Sequence, residues 1–122
     1  MELVKEVDPY GRFQHEPGSK LDNGKIRAAL VIGGFASALT EVAKVGTFGA
    51  DKYTDNGWTS VPDALNRYDD AKVRHMLQEA SGDLYDSDSG LLHAAHEAWN
   101  ALAKLHFLLL EVDSHDDHIG IG

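Results

Sequence analysis

Residues 81–100 read SGDLYDSDSGLLHAAHEAWN, and how this stretch folds decides the architecture. Upstream lies a helical pattern that starts near Ser60, with Pro62 in the first turn, where its missing N–H costs nothing. Downstream, a second pattern runs to about Val112, and Ser87 or Ser89 stands ready to cap it. The Ser/Asp run from Asp86 to Ser89 is short and turn-forming. The spacing therefore predicts a second helix from about Ser60 to Asp86, a tight bend, and a third helix lying antiparallel to it.

Further upstream, the Ala-, Leu- and Val-rich segment from Ile26 to about Val45 predicts a first helix. The glycine-punctuated, aromatic stretch GTFGADKYTDNGWTS, residues 46–60, predicts a loop. Residues 1–24, with Pro9, Gly11, Pro17, Gly18 and Gly24, predict an irregular arm, and residues 114–122 predict an unstructured tail. No repeat and no sustained period-two alternation is present. The expected fold is all-α, a small helical bundle forming a single domain over 1–122.

The 122-residue length allows one core. Its 43% hydrophobic and 25% charged content are ordinary globular values. The absence of cysteine excludes thiol nucleophiles, cysteine zinc sites and disulfides. The apolar run from Ala28 to Leu39 is too short to span a bilayer. Glu2 and Glu6 stand where a signal peptide carries positive charge. Together these predict a cytoplasmic protein with no membrane partner. A net charge of −9 argues against duplex nucleic acid as a partner. It leaves room for a phosphorylated small molecule bridged by divalent cations.

At about 100° per residue, Leu65, Val73, Met76, Leu77, Ala80 and Leu84 gather on one third of the second helix, its expected core face. Arg67, Asp70, Arg74, Gln78 and Ser81 fall mostly opposite. His75, Glu79, Asp83 and Asp86 form a separate stripe along the border of the apolar face. On the third helix His93, His96 and Asn100 share a face, and the tight bend brings that face to the acidic stripe. Acids at a helix C-terminus oppose the dipole, and acids bordering a core are costly to hold unpaired. A divalent cation removes both costs. The alternative is that the carboxylates are solvated and the histidines merely hydrogen-bonded. Oxygen donors suit Mg²⁺, and imidazole moves the preference toward Mn²⁺ or Zn²⁺.

The aromatic loop supplies complementary groups. Lys52 is a point charge for phosphate, Tyr53 and Trp58 are flat surfaces for a base, and Asn56 is a hydrogen-bonding edge. Each also has a plain role open to it: surface lysine, core anchor, or the turn pair Asn56-Gly57.

These blocks, taken in order, resemble one family. Gly49-Ala50-Asp51-Lys52-Tyr53, Asn56 with Trp58, Arg74-His75, Gly82-Asp83 with Asp86, His93 with His96, and Trp99-Asn100 are similar to the phage dATP/dGTP diphosphohydrolases, the MazZ-like group. That group belongs to the all-α nucleoside triphosphate pyrophosphohydrolases related to MazG. The chain differs at Asp83, where the family pattern has Glu, and at Gly57, which separates Asn56 from Trp58. The resemblance implies a homo-oligomer, a dimer or tetramer, with Mg²⁺ or Mn²⁺ on helix-borne acids. It also implies conversion of a purine deoxynucleoside triphosphate, dGTP or dATP, to its monophosphate and pyrophosphate. In some phages this reaction feeds the 2-aminoadenine DNA pathway. On this reading Asp83, Asp86, His93 and His96 hold metal and Glu79 acts on water. Lys52, Tyr53, Asn56, Trp58, Arg74, His75 and Asn100 bind substrate. Two competitors stay open: a non-catalytic metal- or nucleotide-binding regulator, and an HD-type triphosphohydrolase built on His115-Asp116.

Overall fold

The computed structural model describes residues 6–116, with side chains to Ser114. Two compact units divide the chain, one ending at Gly34 and the other beginning at Phe35.

In the first unit the backbone is irregular as far as Arg27. Asp8, though charged, is buried, and it organises the turns around it. One carboxylate oxygen accepts the N–H groups of Tyr10 (3.0 Å) and Arg12 (2.8 Å), and the other accepts that of Lys20 (3.1 Å). Helix α1 follows, Ala28–Gly33.

The second unit contains α2 (Ala36–Lys52), a 3-10 turn (Gly57–Ser60), α3 (Ala64–Ala80) and α4 (His93–Asp116). Helix α4 packs on both α3 and α2. Among the described residues there is no sheet, only the isolated bridges Val7–Phe13 and Tyr85–Leu92, so the chain is all-α as expected. No helix among these residues is long and apolar enough to cross a membrane. Residues 117–122 of the expected tail, and the side chains of the His115-Asp116 pair, lie outside the described residues.

Boundaries of all three expected helices depart from the sequence reading: the third, expected from a Ser87 or Ser89 cap to about Val112, runs His93–Asp116, so residues 114–116 of the expected tail are helical. The expected helix from Ile26 to Val45 is interrupted by Gly34 and Phe35, where the Gly33-Gly34 pair withdraws helix propensity. Helix α2 then continues through Gly46 and Gly49 to Lys52, into the expected loop. Gly46 is there for a close approach: a Cβ on it would lie 3.1 Å from Trp99 Nε1. Helix α3 begins at Ala64 and stops at Ala80, short of Asp86. Gly82 adopts φ +97°, and its N–H donates to Glu79 O (3.0 Å) while that of Asp83 donates to Gln78 O (3.1 Å). This is a Schellman stop, and it requires glycine at that position. Asp83 and Asp86 are therefore on the connection, not on the helix.

The expected core face of α3 is also corrected. Leu65 is half-buried, but Val73, Met76, Leu77, Ala80 and Leu84 are exposed, Leu77 at 64%. The polar border stripe, with His75 and Glu79 half-buried, is the more enclosed side. What α4 offers explains this: its buried positions are His93, Ala95, His96, Asn100 and Ala103, small or polar groups that match polar partners. Aromatic rings supply the larger apolar contacts. Trp58 meets Trp99 edge-on at 5.7 Å between centroids and Phe107 at 6.0 Å, and Tyr68 stacks on Phe107 at 6.0 Å.

Candidate metal centre

The Schellman stop sends the chain out of α3 into a twelve-residue connection that returns to α4 by bonding to itself. Asp86 N–H donates to Leu91 O (2.8 Å), Gly90 N–H to Asp86 O (2.8 Å), and His93 N–H to Leu84 O (2.9 Å). Gly90 takes φ +72° inside this loop. The carboxylates are thus carried by backbone fixed at both ends.

Three imidazoles meet at this end of the pair. His75 comes from α3, and His93 and His96 come from the first turn of α4. His75 stacks on His96 at 4.4 Å with an 11° interplanar angle, and its Nδ1 lies 2.8 Å from Nδ1 of His93. Two nitrogens so close share one proton, so one ring donates and the other accepts. Burial, followed by the neighbouring His96, pushes the His75 pKa down, although Asp86 opposes the shift. Burial likewise lowers that of His96, again against Asp86. Both rings are therefore neutral near pH 7, the form that ligates metal.

Asp86 is the central carboxylate. Burial would raise its pKa, but hydrogen bonds from the Ser89 N–H and hydroxyl, with His96 and His75 beyond, hold it below the ordinary value. The Ser89 N–H bond measures 2.8 Å, and Ser89 Oγ also lies 2.7 Å from Nε2 of His96. Asp86 Oδ2 stands 3.8 Å from the same nitrogen. Ligand atoms of His75, Asp86 and His93 all lie within 4.8 Å of one another. One carboxylate and two imidazoles suit Mn²⁺ or Zn²⁺ and accept Mg²⁺ with water filling the remaining positions. His93 is 1% exposed; its Nδ1 faces His75, and its Nε2, 3.5 Å from Asp83 Oδ2, has no hydrogen-bond partner, so the buried ring keeps a coordination position unused. A buried imidazole nitrogen left unpaired is costly in a closed polar network.

The structure gathers some of the expected site residues and scatters others. Asp83, Asp86, His93, His96, His75 and Glu79 are together at the connection, with Asp83 Oδ2 3.5 Å from His93 Nε2. Asn100 is buried next to them, and its amide donates to His96 O (2.8 Å) within α4. Lys52 reaches the same end, pairing with Asp88 of the connection at 2.7 Å and lying over the Phe48 and Tyr53 rings. Tyr53 and Arg74 are exposed. Trp58 is held in the aromatic cluster and lines an apolar groove of about 380 Å³ with Leu39, Val42, Trp99 and Leu102, away from the imidazoles. Asn56 is left-handed (φ 56°), and a Cβ at the next residue, Gly57, would press on the Thr54 hydroxyl and make it move. That contact accounts for the glycine between Asn56 and Trp58.

Two residues escaped the sequence reading as site members. Ser89 was expected only as a cap, yet it bonds both Asp86 and His96. Glu97 of α4 is half-buried, and burial, followed by the neighbouring Glu79 of α3, raises its pKa. Its signal was available, because His93, Glu97 and Asn100 share one face at i, i+4 and i+7.

The family model for the N-terminal region of dATP/dGTP diphosphohydrolases matches residues 15–117. The chain belongs to this family. A dATP/dGTP diphosphohydrolase of Salmonella phage PMBT28 is 34% identical to it over 100 residues, which is 82% of this chain. The chain spans about a third of that relative, 32% of its length. No solved structure matches the chain. All of the residues gathered at the connection fall inside the region the family model matches.

Proposed function

We propose that the chain carries a divalent-cation-dependent site that converts purine deoxynucleoside triphosphates, dGTP and dATP, to monophosphate and pyrophosphate. The observation that carries this reading is the convergence of ligand atoms of His75, Asp86 and His93, all within 4.8 Å of one another, in a region matched by this family. The printed activity of the phage relative supplies the substrate class.

The chain's residues take the following parts. Asp86, His93 and His75 hold Mg²⁺ or Mn²⁺, with Asp83 and His96 completing or steadying the set. A cation bound there would supply charge neutralisation for the triphosphate and would lower the pKa of the attacking water. Glu79 acts on that water, by accepting its proton or by holding a cation next to it. Lys52, released from Asp88, and Arg74 meet the phosphate oxygens, where developing negative charge needs cations. Tyr53 and Asn56, both exposed at the end of α2, face the base, and Asn100 steadies His96. Trp58 sets the position of that loop from the aromatic cluster. In a phage this reaction remodels the deoxynucleotide pool of the host cytoplasm, including supply of deoxyguanylate to the 2-aminoadenine pathway.

The exposed apolar side of α3 and α4 belongs to the same proposal. Val73, Met76, Leu77, Leu105, Leu109 and Leu110 are all open to solvent in the single chain. A second copy of the chain in solution would cover these side chains.

The test is incubation of the chain with each deoxynucleoside triphosphate plus Mn²⁺ or Mg²⁺, quantifying both products. Equal monophosphate and pyrophosphate from dGTP and dATP is the expected result. Tripolyphosphate would identify the HD-type reaction instead, and tight nucleotide binding without turnover would identify a regulator.

A further inference from the structure

Ser89 sits in the connection three residues after Asp86 and seven before His96, and its polar atoms reach both. Its N–H donates to Asp86 Oδ2 at 2.8 Å. Its Oγ accepts the Leu91 N–H at 3.2 Å and lies 2.7 Å from Nε2 of His96. A hydroxyl carries one proton and two lone pairs, so Oγ either donates to Nε2 or accepts from it. In both cases Nε2 is occupied. Asp86 Oδ2, at 3.8 Å from the same nitrogen, is beyond hydrogen-bond reach, so the hydroxyl is what joins the two side chains. His96 is buried, and its ring stacks on that of His75 at 4.4 Å with an interplanar angle of 11°. Yet among the described residues the ligand atoms that gather within 4.8 Å belong to His75, Asp86 and His93, and His96 is left out. The Ser89 contact gives the reason. The His96 ring is a flat support for His75, and its Nε2 is already engaged.

We propose that Ser89 is a positioning residue that sets the composition of the cation site, anchoring Asp86 through its N–H and keeping His96 out of the ligand set through its hydroxyl. The inference deepens the proposed cation site and rests on it. One carboxylate and two imidazoles leave positions open for water or a phosphate oxygen, as Mg²⁺ and Mn²⁺ require. A third imidazole would bring the set to four protein ligands, the closed tetrahedral arrangement that zinc favours. Nε2 of His96 stands 3.8 Å from a carboxylate oxygen of the site, near enough to join the same cation once the hydroxyl is gone. Ser89 therefore selects the metal without touching it. This assigns His96 to steadying His75, not to ligation.

The experiment compares the full wild-type chain with Ser89→Ala, Ser89→Thr and a Ser89→Ala, His96→Phe double variant, each shown to be helical by circular dichroism. Calorimetric titrations with Mn²⁺ and with Zn²⁺ give the affinity ratio, and long-range proton–nitrogen NMR spectra follow the histidine ring nitrogens. In wild type, Zn²⁺ should move the ring nitrogens of His75 and His93 and leave Nε2 of His96 in place. Ser89→Ala should raise the preference for Zn²⁺ over Mn²⁺ by about ten-fold, the usual size of an effect passed through a ligand's neighbour. It should also bring Nε2 of His96 onto the metal. Ser89→Thr keeps the hydroxyl and should keep the wild-type ratio. The double variant keeps a flat ring against His75 but no ring nitrogen, and should lose the gain. The inference is overturned if Ser89→Ala weakens both metals equally, as a merely structural loss would, or if it changes neither. It is also overturned if Nε2 of His96 moves with the other rings in wild type, a result that needs no variant and leaves the cation site standing. A wild type that bound neither ion would remove the cation site itself, and the inference with it.

Discussion

The two ends of the α3–α4 pair are built from different chemistry. Away from the connection, Trp58, Tyr68, Trp99 and Phe107 interlock, and the Tyr68 hydroxyl donates to Trp58 O (2.9 Å). At the connection, three imidazoles and four carboxylates crowd together, with one nitrogen of the most buried ring unpaired. The aromatic end gains free energy by removing large rings from water and by favourable ring geometry. The imidazole end gains little from burial and holds polar groups that desolvation penalises. One end is where the fold gets its stability, and the other is where polar groups are held at a cost to it.

This division makes its strongest claim at Trp99, which meets Trp58 and Tyr68 and lies against Gly46 of α2. Trp99→Ala should cost about 3 kcal/mol, the usual loss for a large aromatic in a packed cluster. Denaturant midpoints measured in EDTA and again in Mn²⁺ check it, and the loss should be the same in both. A loss that appeared only with metal present would mean that the two ends are coupled, and the division would fail.

A smaller effect is expected from pH. His75 and His96 have folded pKa values pushed below the ordinary imidazole value of 6.5, mainly by burial. The unfolded chain therefore takes up protons before the folded one does. Their contribution is fully present above pH 6.5 and is lost as pH falls through the folded values. Asp86, lowered from 3.8, contributes in the same direction but only at more acid pH. Unfolding free energy measured in EDTA should thus fall between pH 7 and pH 5, and a His75→Asn, His96→Asn double variant should flatten that slope. An equally steep slope in the double variant would place the titrating groups elsewhere.

The sequence carried the aromatic end and the imidazole end unequally. Helix identity and the meeting of His75 with His93 and His96 followed from spacing, because 3.6-residue periodicity fixes which side chains share a face, whereas Asp86 joins them from the connection and not from the helix it was expected on. The orientation of α3 did not follow. Val73, Met76 and Leu77 form as good an apolar stripe as any core face, and only the choice of partner decides whether it points inward. Here α4 meets the polar border instead, so the apolar stripe is left for another surface. Boundaries failed where glycine plays two roles: Gly46 sits inside α2 to admit Trp99, whereas Gly82 ends α3. Composition does not distinguish a glycine chosen for its missing Cβ from one chosen for positive φ. Glu97 was hidden for a different reason, because its meaning depends on Glu79 across the helix interface.

The smallest stability effect, and the sharpest separation of the two properties, is expected at Lys52. Its ion pair with Asp88 is short, 2.7 Å, but both side chains are well exposed, and its pKa is raised chiefly by that hydrogen bond. Water competes for both partners, and the long lysine chain must be ordered to hold the contact. Lys52→Met should leave the denaturant midpoint indistinguishable from wild type at moderate salt. Asp88→Asn should do the same. Their effects on substrate should differ in sign. On the proposed function, removing Lys52 takes away a cation for phosphate and should raise KM several-fold, with a smaller change in kcat. Removing the Asp88 charge frees Lys52 for phosphate and should lower KM. A steady-state comparison of the two variants reads this directly, and a KM that rises in both would mean that the pair serves only to pin the connection against α2.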